Sequence, residues 1–240
     1  MRTCPLCSSD FPNFFPLPQH YLETFHRLNV FYSAEDFETL NVGQYSCPVC
    51  TSSDRDRLYC LFVKTMLERP AQTPTRILDI APAPVLSRFL KSLSGAVYRS
   101  ADLFSPMADD IVDIMDMSLY PDESFDFIVC SHVLEHVSDD ALAIAELYRV
   151  LAKGGTAILM VPLLLTAEET DEDPNEQSVD ERWARFGQDD HVRMYAKADY
   201  VARLKKGGFE VSALGAEAFG ADVFTRNGIT QQSVLYIGRK

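Results

Sequence analysis

No apolar run in this chain approaches the ~20 residues a membrane-spanning helix requires. No membrane partner is therefore expected. The first residues, MRTCPLCSSDFPNFF, lack the charged-then-apolar order of a secretory signal, and a cytoplasmic location is the expectation. Positive charge is scarce, with 22 Lys and Arg against 35 Asp and Glu, a net charge of −13. Such a field repels phosphate backbones and argues against a nucleic-acid partner. Glycine and proline are few, 11 and 13 of 240 residues, while 47% of the chain is apolar. That composition describes a globular chain, long enough for one large domain and a small appendage. There is no internal repeat. The largest acidic run, Glu168 to Glu181, holds Pro174 and Asn175 and reads as a solvated, mobile loop.

Six cysteines are present, and they are unevenly placed. Cys4-Pro5-Leu6-Cys7 and Cys47-Pro48-Val49-Cys50 form two tight turns, each aiming two sulfurs at one point. Proline after the first cysteine pre-sets the turn. Two such units without a signal peptide point to structural zinc, ahead of disulfides or another metal. A closed four-thiolate site has no open position for substrate, so the module is read as folding-linked and not catalytic. His20 and His26 then fall on the surface. The aromatic-rich stretch between the pairs (Phe11 to Phe37) is expected to pack against a neighbouring domain. Cys60 and Cys130, in apolar surroundings, read as core.

Further along, short apolar runs alternate with amphipathic segments, the signature of a doubly wound α/β sheet. Leu58 to Leu67 reads as a lead-in helix, and Pro70 and Pro74 as a module boundary. Strands are expected at Arg76–Ile80, Ala96–Leu103, Ile111–Met115, Phe125–Cys130, Thr156–Val161, Phe209–Ala213 and Ser233–Ile237. Helices are expected at Pro84–Leu93 and Tyr195–Gly208. The most telling stretch is FDFIVCSHVLEHVSDDALAIAELYRVLAKGG, Phe125 to Gly155. It reads as a buried strand, a polar loop, a helix opened by Asp139 and Asp140, and a stop at Lys153-Gly154-Gly155.

That wording resembles the class I S-adenosylmethionine (SAM)-dependent methyltransferases, of the methyltransferase type 11-like kind. The resemblance runs from about Arg76 to the C-terminus. It implies a Rossmann-like seven-stranded sheet in the order 3-2-1-4-5-7-6, the seventh strand antiparallel. With the cysteine pairs this divides the chain into a zinc-ribbon-like module at 1–57 and a catalytic domain at 58–240, with a substrate-lid insertion at 168–195. The cofactor site it implies uses Asp79 and Ala81 after the first strand, Asp102 and Leu103 after the second, Asp113, Ile114 and Met115 around adenine, and Ser131 and His132 below the methyl group. Asp116 is an alternative acid at the adenine position. One departure stands out. The family's glycine-rich first loop is Ala81-Pro82-Ala83-Pro84 here, so no glycine remains and two backbone donors are gone. The loop is either a rigid variant with room for SAM or a weakened site; the other cofactor positions favour retained binding. A nicotinamide-dependent oxidoreductase is disfavoured, because two prolines in that turn would spoil a pyrophosphate cradle.

Methyl transfer from a sulfonium needs positioning and, for a hydroxyl or protonated amine, a base. His132 and His191 are the candidates, with Arg193 and Tyr195 orienting the acceptor; His136 is read as capping or packing the LEHV turn. The segment FGQDDHVRMY, Phe186 to Tyr195, and the Cys-Pro-x-Cys-x-Ser-x-x-Arg-x-Arg lead-in resemble signatures of a zinc-headed methyltransferase subgroup. Arg55 and Arg57 either clamp an anionic substrate group or dock the zinc module. The expected activity is SAM-dependent methylation of a small-molecule or glycan-type acceptor. The alternatives are a non-catalytic SAM-binding scaffold and an RNA methyltransferase. Neither the acceptor nor the oligomeric state is legible in the residues.

Overall fold

A computed structural model describes residues 1–67 and 74–240; Pro70, read as a boundary, lies outside the described residues. In chain order the elements are β1 (Arg2–Thr3), β2 (Asp10–Phe11), α1 (Gln19–Arg27), α2 (Asp54–Leu67), β3 (Thr75–Ile80), α3 (Pro84–Lys91), β4 (Ala96–Asp102), β5 (Asp110–Ile111), β6 (Phe125–Ser131), α4 (Asp140–Val150), β7 (Leu151–Met160), β8 (Leu163–Leu164), β9 (Asp171–Glu172), α5 (Val179–Phe186), β10 (Arg193–Ala196), α6 (Lys197–Lys206), β11 (Glu210–Leu214), α7 (Ala216–Phe219), α8 (Ala221–Arg226) and β12 (Leu235–Arg239). Seven strands form the main sheet in the order β11-β12-β7-β6-β3-β4-β5. Numbering those seven by their place in the chain, the order is 3-2-1-4-5-7-6, and β12 runs antiparallel to both neighbours. The Rossmann-like expectation is met.

The central strands are buried on both faces, which explains their unbroken apolar runs. Ile77, Leu78, Phe127, Ile128, Val129, Ile158 and Leu159 all lie in the main core. Helix α3 opens on Pro84, where the missing N–H costs nothing because that group has no intrahelical partner anyway. Asp139 caps α4, accepting from the amides of Ala141 and Leu142 at 3.0 and 3.1 Å.

Several boundaries differ from expectation. Helix α4 ends at Val150, and the chain enters β7 directly at Leu151, so Gly154-Gly155 is not a helix stop. The pair instead absorbs a register shift: Phe125 faces Leu151 while Phe127 faces Thr156. Gly154 has φ +74°, a conformation open to glycine that strains a side chain. Tyr195 lies in β10, and the helix expected to start there begins at Lys197. The third strand shortens to two residues, with Asp113 to Asp116 forming a turn beyond it. Helix α2 starts at Asp54 and thus runs across the 57/58 boundary.

The N-terminal segment packs onto the sheet's C-terminal edge through buried polar contacts. Glu38, 2% exposed, accepts from Tyr236 Oη at 2.8 Å and Lys197 Nζ at 2.7 Å. Phe37 bridges Leu164 of β8, which joins β10 and β9 in a small second sheet. Phe25, Tyr32 and Phe37 of the aromatic stretch pack there with Phe186 and Met194, while Phe15, Tyr21 and Phe31 are exposed.

Candidate active site

The four module cysteines converge. Cys4 Sγ lies 3.6 Å from Cys50 Sγ, and Cys7 Sγ lies 3.8 Å from Cys47 Sγ. A tetrahedron with Zn–S near 2.3 Å has edges of about 3.8 Å, so the donor set fits structural zinc. Cys4 and Cys47 are buried, and all four sulfurs lie within 4.8 Å of one another.

The carboxyl ends of the sheet strands carry two cavities that share Tyr45, Arg55 and His132. The first, about 360 Å³, is lined by Asp79, Ala81, Pro84, Tyr59 and Ser131. Ala81 has φ +49° and donates its N–H to Ala101 O at 2.8 Å. It therefore holds the left-handed turn that a glycine would adopt freely, at a cost of about 1 kcal/mol. The glycine-free loop keeps the shape and loses the ease. Asp79 is buried, and both its hydrogen bonds fall on Oδ2, from Ser87 Oγ at 2.8 Å and Tyr98 Oη at 2.7 Å. Burial pushes its carboxyl up to about 6 against the opposing pull of those two hydroxyls. A buried carboxylate beside an accessible cavity suits a cationic group such as the amino-acid end of SAM.

The remaining expected cofactor residues line neither cavity. Asp102 ends β4 and accepts on Oδ1 from the amides of Phe104 and Ser105, both at 2.7 Å. Asp113 accepts from the Met115 amide at 2.8 Å and so shapes its own turn. Ile114 is 5% exposed and belongs to the main core. Exposed Leu103, Phe104 and Met107 are the apolar groups on offer at that edge.

The second cavity, about 150 Å³, lies between the N-terminal segment and the Phe186–His191 stretch. Leu17, Tyr21, Phe25, Phe37, Leu163 and Phe186 give it an apolar wall, with Gln188, His191, Arg55 and His132 as polar groups.

His132 stands where the cavities meet. It has φ +58°, a strained conformation for a non-glycine residue and a mark of functional loops. Arg55 Nη1 lies 2.9 Å from its Nδ1 and closer still to its Nε2. A guanidinium only donates, so the ring must offer it a lone pair and is neutral. Burial, then the Arg55 charge, holds the ring down to about 4. His191 is 2% exposed, with Nδ1 on Phe186 O at 2.9 Å, and burial lowers it too.

Three expected substrate contacts are structural instead. Arg57 is fully buried, and its five N–H groups reach the carbonyls of Asn227, Tyr45, Ser52, Gln44 and Gly228. It docks the four-cysteine segment, the second of its two readings. Arg193, 1% exposed, donates to the carbonyls of Leu134 and Val137 at 2.5 and 2.6 Å and to Glu172 at 3.1 Å. Tyr195, also buried, donates to Asp140 Oδ2 at 2.7 Å. Both tie β10 to the His132–Asp140 loop, with no group left to orient an acceptor.

Sequence reasoning passed over Glu135. It is fully buried, with His132 Nδ1 3.1 Å from its Oε1 and the Nε2 atoms of His136 and His191 both 4.0 Å away. The signal was the HVLEH spacing, which puts His132, Glu135 and His136 into one tight turn.

A family model described as a methyltransferase domain matches residues 52–214, over half of the chain. Ajmaline N-methyltransferase of Rauvolfia serpentina is 38% identical over 77 residues, 32% of this chain and 24% of that protein. A CurJ carbon methyltransferase structure superposes with a TM-score of 0.51 at 14% identity, over 77% of this chain and 53% of that one. A SAM-dependent methyltransferase from Archaeoglobus fulgidus gives 0.50 at 13% identity, over 80% and 96%. These two likenesses are of fold. The chain spans about a quarter of the plant enzyme and about half of the CurJ domain.

Proposed function

This chain belongs to the methyltransferase domain family, and on that premise we propose that it transfers a methyl group from SAM to a nucleophilic atom on a small molecule with an apolar body. The observation that carries the reading is the pair of cavities meeting at His132 and Arg55. One offers a buried carboxylate and a tight backbone turn. The other offers a mostly apolar wall, which gives a hydroxyl-rich glycan few partners and a flat or aliphatic molecule many.

The residues fit the cofactor: Asp79 would hold its ammonium, the Ala81 turn its methionine end, and Asp102 its ribose. When bound, SAM supplies a methyl already activated by the sulfonium charge. The chain's task is then to align the acceptor and exclude water. Phe25, Phe37, Leu163 and Phe186 would clamp the acceptor body. His132 is neutral near pH 7 and accepts a proton once Arg55 releases its lone pair, so Arg55 acts as a gate on the base. Ser131, hydrogen-bonded to Tyr59 Oη at 2.8 Å, supports the strand end below.

Calorimetry with SAM and with its demethylated product, followed by mass spectrometry on a panel of aromatic amines, phenols and oligosaccharides, tests the reading. Saturable cofactor binding and methylation of an apolar-bodied acceptor are expected. Absence of binding at millimolar cofactor would sink the proposal and favour a non-catalytic scaffold.

A further inference from the structure

Glu135 presents a problem that nothing around it resolves. Its carboxylate is fully buried, and neither oxygen has a hydrogen-bond partner among the described residues. A buried carboxylate without donors is costly, and native structures pair it or give it a cation. His132 Nδ1 is near, at 3.1 Å from Oε1, but is not aligned as a hydrogen bond.

The two other imidazoles are set in a particular way. His191 Nδ1 lies 2.9 Å from the Phe186 carbonyl, which only accepts, so Nδ1 carries the proton. Its Nε2 lone pair is then turned to Glu135 Oε1, 4.0 Å away. His136 Nδ1 lies 3.3 Å from Asp190 Oδ2, and its Nε2 is likewise 4.0 Å from Glu135 Oε1. A carbonyl or carboxylate on the far nitrogen is the usual outer partner of a metal-bound histidine, fixing tautomer and ring direction. Three side chains that can each offer an electron pair therefore converge, all within 4.8 Å of one another.

We propose that Glu135, His136 and His191 hold a divalent first-row transition-metal ion at the end of the acceptor cavity, separate from the four-cysteine site. Donors at ~2.1 Å from one ion in a tetrahedral or octahedral set stand ~3.0–3.4 Å apart, so the 4.0 Å separations between Glu135 and the two imidazoles must shorten by roughly 0.6–1 Å. Two imidazoles and one carboxylate leave coordination positions open and suit ions such as Mn²⁺, Fe²⁺, Co²⁺ or Zn²⁺. His191 lines the cavity, so an open position faces whatever occupies it. Resting on the methyl-transfer reading, the ion's task would be to hold and polarise the acceptor heteroatom. Arg193 and Tyr195 acquire a purpose as well. They lock the strand that follows His191 against the loop that carries Glu135 and His136.

The test titrates zinc-loaded, full-length protein with Co²⁺, without cofactor or acceptor, by calorimetry and visible absorption. One further equivalent is expected, with weak visible bands and no sulfur-to-cobalt charge transfer. Glu135→Gln, which keeps the side-chain volume, should weaken that binding at least 100-fold with the zinc content unchanged. His136→Asn, at a half-exposed ring, carries the same expectation if the buried variant does not fold. No second equivalent in the wild type, or equal Co²⁺ affinity in both variants, overturns the proposal. Because SAM is absent from the titration, its outcome is independent of whether the chain transfers methyl groups.

Discussion

Replacing Arg57 by alanine should remove the bolt between the four-cysteine segment and the main domain. Five N–H groups donate to five main-chain carbonyls at 2.6 to 3.0 Å, two of them from the Asn227-Gly228 turn on the far side of the chain. The guanidinium also lies 3.8 Å from the centre of the Phe14 ring. Gly228, at φ +64°, brings its backbone so close that a Cβ there would sit 2.3 Å from Phe14, so the packing leaves no slack. Counting about 1 kcal/mol net per hydrogen bond and about 1 kcal/mol for the cation–π contact, the gross gain is ~6 kcal/mol. Desolvating a charge offsets part of this, and burial correspondingly lowers the Arg57 pKa. Truncation also leaves five carbonyls without donors, so a loss of about 4–5 kcal/mol is expected. For a domain of this size that is a fall in Tm of roughly 10–20 °C. Arg57→Lys, with three donors on one point, should lose about half as much. Chemical denaturation and zinc content of the three proteins would check this. An alanine variant within about 1 kcal/mol of wild type, zinc retained, would refute the docking argument.

Three further outcomes are expected. SAM affinity should be constant above about pH 6 and fall toward tenfold per unit below it. Asp79 titrates near 6 when free, and its carboxylate form is the one a bound ammonium selects, so lower pH makes binding compete with protonation; flat calorimetric affinity from pH 5 to 8 would exclude Asp79 from the ammonium contact. Ala81→Gly should leave stability unchanged or raise it by up to about 0.6 kcal/mol, since relief of the positive φ offsets the greater freedom of glycine in the unfolded chain; a clearly lower Tm would contradict the strain assigned there. Removing zinc with a strong chelator should melt the N-terminal segment and with it the apolar cavity wall of Leu17, Tyr21 and Phe25, detected as proteolysis before residue 54 and lost near-ultraviolet dichroism.

Much of this molecule is written in short-range patterns. The buried strands, the Asp139 cap and the paired Cys-Pro-x-Cys turns depend on residues within one turn or one strand of each other, so sequence alone determined the α/β class, the strand order through its family wording, and the candidate zinc ligands. The same local logic misjudged Gly154-Gly155, because a helix stop and a bulged strand use the same positive-φ residue, and only pairing with Phe125 and Phe127 distinguishes them. Side-chain roles were less legible still. Arg57, Arg193 and Tyr195 look like ligand contacts in one dimension, yet each is consumed by carbonyls or a carboxylate from segments 5 to 171 residues away. Glu135 drew no reading in the LEHV turn until β10, held by β8 and β9, brought His191 to it across 56 positions of chain. Periodicity reports which face of an element is apolar. Which donors meet inside the fold depends on how strands pair and loops cross, and tertiary structure alone decided that.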